Sequence, residues 1–241
     1  MSGMRARLGL ILMSTNPVVE PELNRVLPAD VSLHVTRIRF TDSTPEQYEA
    51  LLPEVPAAAS LLGDVRPDAI AFGCTSGSMY GGRGYDRKIV DLIRSAVDVP
   101  ATTTTTALLR QFQRIGASSV SVATPYLDWV NDFEERYLVD AGITVSAIAG
   151  LNLSGDDVHR VTPEQLYRFA RDTYVPGSDC LFISCMGLRT LDIIAHLEHD
   201  LGVPVITSPM ATLLHLLELA RVRVEPSDGS LYRGLLAAGG R

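Results

Sequence analysis

The sequence of 241 residues predicts an α/β protein of two similar lobes, each built on a parallel sheet and related by a pseudo-twofold, with the site in the cleft between them. Three observations lead there. Short apolar runs alternate with longer segments of helical period, as βαβ units require. The second half of the chain repeats the first. A composition of 46% hydrophobic, 20% charged and 6% aromatic residues supports a large core and excludes disorder, collagen and coiled coil.

The elements follow in order. Residues 7–13 form an apolar strand closed by the turn Ser14, Thr15, Asn16, Pro17, after which Val19, Leu23, Val26 and Leu27 fall at helical spacing. Val31–Ile38 alternates as a strand. A helix is expected over 44–62, with proline directly after Thr44, where its missing N–H costs nothing. A strand over 69–72 runs into Gly73, Cys74, Thr75, Ser76, Gly77 and Ser78. In the second half, residues 119–126 open like the first strand, 127–138 are amphipathic, and 143–148 form a strand after Gly142. Cys180–Ile183 reads as a buried strand, and Leu191, Ile194, Leu197 and Leu201 share one helix face that Gly202 ends.

The duplication is closest around two cysteines. Asp68 lies six residues before Cys74 and Asp179 six before Cys185, each pair enclosing an apolar strand. A helix follows each cysteine, then Val-Pro (Val99-Pro100, Val203-Pro204), then a Thr/Ser-rich stretch leading to Ala-Leu-Leu or Ala-Thr-Leu-Leu. Open parallel sheets bind ligands at the C-terminal ends of their strands, so the two lobes share a cleft there. The N-terminal lobe, carrying Cys74, is expected at 1–103 with the tail 215–241, and the second, carrying Cys185, at 104–214.

A net charge of −7 and a pI near 5.2, without a Lys/Arg stripe, argue against nucleic acid and membranes as partners and leave a small molecule. The apolar run 8–13 is too short to span a bilayer and lacks a cleavage site, so a cytoplasmic protein is expected. Cys74, Cys180 and Cys185, odd in number and without CxxC spacing, read as reduced thiols.

Cys74 (FGCTSGSMYGG) and Cys185 (FISCMGLRTLDII) sit where a strand gives way to a helix, and unpaired N–H groups there favour thiolate. Either alone reads as a small buried hydrophobe, as Cys180 does within its strand. Matched, they become two thiols facing each other across one cleft, suited to proton transfer on both faces of a planar carbon or to one nucleophile with one acid. Thr75 and Ser76, and the backbone of Met186 and Gly187, could form two nests for a carboxylate. Asn16 and Tyr126 occupy equivalent turns and read equally as substrate contacts or as turn chemistry and packed aromatic. Arg189 reads as a carboxylate contact or as a partner of Asp192. The threonines at 102–106 read as a helix cap or as lining of the lobe interface. HLEH at 196–199 lacks zinc spacing, GGRG at 81–84 is not a P-loop, and no GxGxxG follows a strand, so neither a metal nor a nucleotide cofactor is expected.

GCTSGS around Cys74, ATPYLDWVN around Tyr126 and SCMGLRTLDII around Cys185, in that order over nearly the whole chain, resemble the Asp/Glu racemase superfamily and, within it, the maleate cis-trans isomerase and arylmalonate decarboxylase branch. The resemblance implies a cofactor-independent enzyme of two Rossmann-like lobes with its site between them. Decarboxylases of the branch are expected to carry glycine in place of Cys74, so two cysteines tilt the reading to isomerase. STNPVVEPEL is similar to the isomerases' stretch that holds a substrate carboxylate, which carries that role to Asn16. A second asparagine of the isomerases has no clear counterpart. The corresponding loop offers Asn152, Asp156, Asp157 and His159, and acidic residues there would disfavour a dicarboxylate.

The leading expectation is a cofactor-independent isomerase of a small carboxylate, with Cys74 as nucleophile and Cys185 as acid or base. An amino-acid or hydantoin-type racemase, an arylmalonate decarboxylase-like enzyme and a non-catalytic two-lobed binding protein are the alternatives. A homo-oligomer is compatible with the sequence.

Overall fold

The computed structural model describes residues 5–222. Among them, eight strands form two parallel sheets of four. The first contains β1 (Ala6–Met13), β2 (Val31–Ile38), β3 (Ala69–Gly73) and β4 (Ala101–Thr103) in the order β2-β1-β3-β4. The second contains β5 (Ser119–Thr124), β6 (Thr144–Gly150), β7 (Cys180–Ile183) and β8 (Val205–Thr207) in the order β6-β5-β7-β8. The same order twice is the duplication in structural form. The central strands β3 and β7 are buried along their whole length, which is why AIAFG and CLFI are unbroken apolar runs.

Around the sheets lie α1 (Val19–Val26), α2 (Pro45–Gly63), α3 (Thr75–Met79), α4 (Tyr85–Ala96), α5 (Thr104–Ile115), α6 (Asp128–Asp140), α7 (Pro163–Thr173), α8 (Leu191–Leu201) and α9 (Ser208–Leu219), with a 3-10 turn at Gly155–Arg160. Helices α2 and α7 both open on the tetrapeptide Thr-Pro-Glu-Gln. Thr44 accepts from the Gln47 N–H at 3.4 Å, and Thr162 from the Gln165 N–H at 3.2 Å. In α7 the glutamine side chain accepts back from the Thr162 N–H at 3.0 Å. In α2 it instead accepts from the N–H groups of Thr41 and Asp42, at 2.6 and 3.2 Å, and so holds the loop after β2.

The two aspartates that flank the cysteine strands do equivalent work. Asp68 Oδ2 accepts from the Arg7 N–H at 2.8 Å, tying the start of β3 to β1. Asp179 Oδ2 accepts from the N–H groups of Ser118 and Ser119, both at 2.8 Å, tying β7 to β5.

The last helices cross between the sheets. Phe112 of α5 meets Phe182 of β7 edge to face with centroids 5.8 Å apart, while α9 packs on β3 and β4 of the first sheet. Thr212 of α9 donates to Thr104 at 3.0 Å, and His215 lies 2.9 Å from Thr102. Burial pushes the His215 imidazole down to about 4, so it is neutral there. Thr103 caps α5 by accepting from the Thr106 N–H at 3.0 Å, so the threonine run both caps a helix and lines the interface between the two halves. Of the tail 215–241, residues 223–241 lie outside the described residues. Among those described, no helix is long and apolar enough to cross a membrane.

Candidate active site

Loops at the C-terminal ends of six strands, three from each sheet, close around one cavity of about 70 Å³. That is room for roughly five waters or one small acid. Cys74, Thr75, Ser76, Asn16, Tyr126, Cys185, Met186 and Gly187 all line it. Cys180 does not; it is fully buried in β7 as a small hydrophobe.

Cys74 caps α3 and its sulfur accepts from the Gly77 N–H at 3.3 Å. A Cβ at Gly77 would stand 2.8 Å from that sulfur, so only glycine brings its N–H to the thiol without a clash. On the other side the Cys185 sulfur accepts from the Gly187 N–H at 3.2 Å, and Tyr126 lines the same cavity. A Cβ at Gly187 would come within 2.7 Å of the His159 ring. Thr124 sets Tyr126 in place: its hydroxyl accepts from the Tyr126 N–H at 3.1 Å and donates to Asn131 at 2.6 Å.

The two cysteines are not equivalent in backbone. Cys185 has φ 126°, and α8 begins only six residues later at Leu191, whereas α3 starts on the residue after Cys74. The first N–H groups of α8 are taken by Glu22 of α1, which accepts from Thr190 at 2.9 Å and Leu191 at 3.3 Å. The expectation of a second thiol at a helix start is therefore corrected. So is the expectation of ready thiolates. Burial pushes Cys74 up to about 12 and Cys185 up to about 11, outweighing the glycine N–H groups.

The expected binding groups are partly occupied. Thr75 donates its hydroxyl to Ser208 at 2.8 Å, and the same Ser208 oxygen accepts from the Cys185 N–H at 3.1 Å, so one hydroxyl bridges the two cysteine loops. Ser76 accepts from the Tyr48 hydroxyl at 2.9 Å. What Thr75 and Ser76 keep for a ligand are their N–H groups, the first of α3 and without intrahelical acceptors. The Gly187 N–H is spent on its own thiol, which weakens the second nest. Asn16 Oδ1 accepts from the N–H groups of Val18 and Val19, at 2.9 and 3.1 Å, leaving its NH2 for the cavity. Arg37 pins this turn by donating to the carbonyls of Met13, Ser14 and Asn16 at 3.3, 3.2 and 2.9 Å.

A model of the arylmalonate decarboxylase family matches residues 8–232. The chain belongs to that family. It is 28% identical over 230 residues to the arylmalonate decarboxylase of Bordetella bronchiseptica, covering 93% of this chain and 95% of that one. It is 25% identical over 244 residues to the maleate isomerase of Geobacillus stearothermophilus, covering 95% and 97%. The crystal structure of the maleate isomerase Iso from Pseudomonas putida S16 superposes with a TM-score of 0.89 at 25% identity, over 97% of this chain and 99% of that one.

Within this family frame, the loop after β6 differs from the sequence expectation. Asp156 and Asp157 are exposed and paired with Arg160, at 3.0 and 3.8 Å, and neither lines the cavity. The objection they raised to a dicarboxylate falls. Gly155, Val158 and His159 face the cavity instead, with His159 Nδ1 3.3 Å from the Gly187 carbonyl. Asn152 lies outside the cavity at φ 55°. Arg189 matches neither of its readings: it donates to the His159 carbonyl at 2.6 Å, while Asp192 pairs with Arg25, also at 2.6 Å. The sequence missed Ser208, Tyr48 and the cavity-lining segment 40–43. Ser208 carried a signal, since it stands after β8 where Thr104 stands after β4. Among the described residues, no group of three His, Cys, Asp or Glu side chains could hold a metal ion.

Proposed function

We propose that the protein is a cofactor-independent isomerase of a small unsaturated carboxylate, resembling maleate isomerase. One observation carries this: Cys74 and Cys185 line the same small cavity from the two halves of the molecule. The unpaired N–H groups of Thr75 and Ser76 and the Asn16 amide receive one carboxylate. The Cys74 thiolate forms a bond to an alkene carbon, and the π electron pair moves into the adjacent carboxylate as an enediolate. The bond between the former alkene carbons is now single and rotates. The electron pair then returns, the carbon–sulfur bond breaks and the thiolate leaves. Where Cys185, with Tyr126 beside it, gives a proton to the neighbouring carbon of the adduct, it takes that proton back before the carbon–sulfur bond breaks.

The family description and the Bordetella relative favour a second reading, decarboxylation of an arylmalonate. Against it, the Cys74 side chain would crowd the pocket of the leaving carboxylate. The racemase version would use one thiolate to remove an α-proton and the other thiol to return one. All three are separated by incubating the protein in deuterated water with maleate, aspartate, hydantoins and arylmalonates and following the products by NMR. Conversion of maleate to its trans isomer, unaffected by dialysis against chelator, is the expected result. Release of CO2 from an arylmalonate, or α-deuteration of an amino acid or hydantoin without alkene isomerisation, would overturn it.

A further inference from the structure

The cavity is not uniform in what it offers a ligand. Its hydrogen-bond donors come from the loops after β3 and β1: the N–H groups of Thr75 and Ser76 at the start of α3, and the NH2 of Asn16. Another margin belongs to the loops after β2 and β6, the matching edge strands, each separated by one strand from β3 or β7, which lead into the cysteines. Those two loops meet, since a Cβ at Gly155 would stand 3.6 Å from the Thr41 carbonyl oxygen.

What this margin offers is acceptors. Asp42 of the β2 loop lines the cavity; its Oδ1 accepts from the Ser43 N–H at 2.8 Å, and no described residue donates to its second oxygen. The backbone that carries it is fixed, because Gln47 accepts from the N–H groups of Thr41 and Asp42. His159 of the β6 loop lines the cavity too. The Gly187 carbonyl, 3.3 Å from His159 Nδ1, can only accept, so Nδ1 carries the proton and the neutral ring keeps only the Nε2 lone pair. No lysine or arginine is among the residues that line the cavity. A ligand carboxylate at this margin would meet Asp42 with no cation to offset the repulsion, whereas an amide NH2 would find an acceptor.

We propose that the cavity is built for an unsaturated acid whose second end is a neutral hydrogen-bond donor, an amide above all, and that Asp42 sets this preference. This names the substrate class of the isomerase reading and rests on it. One end of the substrate is a carboxylate on the N–H groups of Thr75 and Ser76 and the Asn16 amide. The other donates to Asp42. Maleate, charged at both ends, is turned over against the Asp42 carboxylate, and its half-amide is the better substrate. Specificity comes as much from the ligand Asp42 repels as from the one it holds.

The test reads binding first and turnover second. Succinate, succinamate and butyrate have no alkene for a thiolate to attack, so their affinities for the full chain are measured by calorimetry at about pH 7.5, where their carboxylic acids are ionised. The wild type should bind succinamate about tenfold or more tightly than succinate, which like charge disfavours, and more tightly than butyrate, which lacks the donor. Asp42→Asn keeps an oxygen for the Ser43 N–H and removes the charge. It should tighten succinate and bring the two affinities within about threefold of each other. The values of kcat/KM for maleamate and maleate should follow the same order in both proteins. Succinate bound as tightly as succinamate by the wild type, butyrate bound as tightly as succinamate, or a preference unchanged in Asp42→Asn would overturn the proposal. Binding in the expected order without isomerisation of maleamate would overturn only the isomerase reading, and binding of none of the three would overturn both.

Discussion

Cys185 is held at φ 126°, a conformation that costs a non-glycine residue about 1–3 kcal/mol and persists only where the surroundings impose it. Ser208, bonded to its N–H, and Gly187, bonded to its sulfur, are those surroundings, and together they present the sulfur to the cavity. Desolvation dominates the chemistry of both thiols. A thiol raised to about 12, as Cys74 is, becomes nucleophilic only as pH climbs towards that value. In assays at low substrate, kcat/KM should therefore climb by up to about tenfold per unit from pH 7 to 9. A flat profile would mean that the free enzyme already holds a thiolate. Cys74→Ala and Cys185→Ala should each lower turnover by about a thousandfold or more, because groups that act as a unit fail together, with thermal unfolding unchanged. Near-native turnover in either would refute a two-cysteine mechanism.

Among the elements, strands were the most legible. Val31–Ile38 and Cys180–Ile183 are strands with the very bounds their patterns suggest, because an alternating side-chain pattern in the first and an unbroken apolar run in the second are local records of a pleated strand. The start of α8 was less legible, since Glu22, from a distant helix, decides where its N–H groups are satisfied. The paired Thr-Pro-Glu-Gln caps are a local signal of the duplication that reads directly from the chain. Asp179 fastens the start of β7 to β5, and the N–H groups it accepts lower it to about 2, below its ordinary 3.8. A lowered carboxyl stabilises the fold above its unfolded value and loses that contribution as pH falls through the folded one. Between pH 4 and 2 the wild type should thus lose more thermal stability than Asp179→Asn, followed by circular dichroism. Parallel acid profiles would remove the strand-tying role.

At the scale of the whole molecule, the site exists because two halves meet. Ser208 joins the residue after Cys74 to the backbone of Cys185. Ser208→Ala leaves the Thr75 hydroxyl and the Cys185 N–H without their partner, in a place water barely reaches. A loss of about 1–3 kcal/mol is expected from such groups, read by denaturant unfolding, with a fall in kcat at least as large as the stability change would suggest. Unchanged stability and kcat would mean that the two loops are held by packing alone.

The chain by itself determined the α/β class, the duplication and the pair of strand ends where Cys74 and Cys185 stand, because side-chain periodicity and turn residues are local and survive in the order of residues. It also pointed to Asn16, Thr75, Ser76, Tyr126, Met186 and Gly187, all of which meet at one cavity. Only the tertiary structure decided which of their atoms are already engaged, that Asp156 and Asp157 face away while His159 faces in, and that the Glu134 carboxyl is buried without a hydrogen-bond partner. Ionisation was beyond the sequence for the same reason. A thiol's proton depends on the water excluded and the charges gathered around it, and residues distant in the chain supply both.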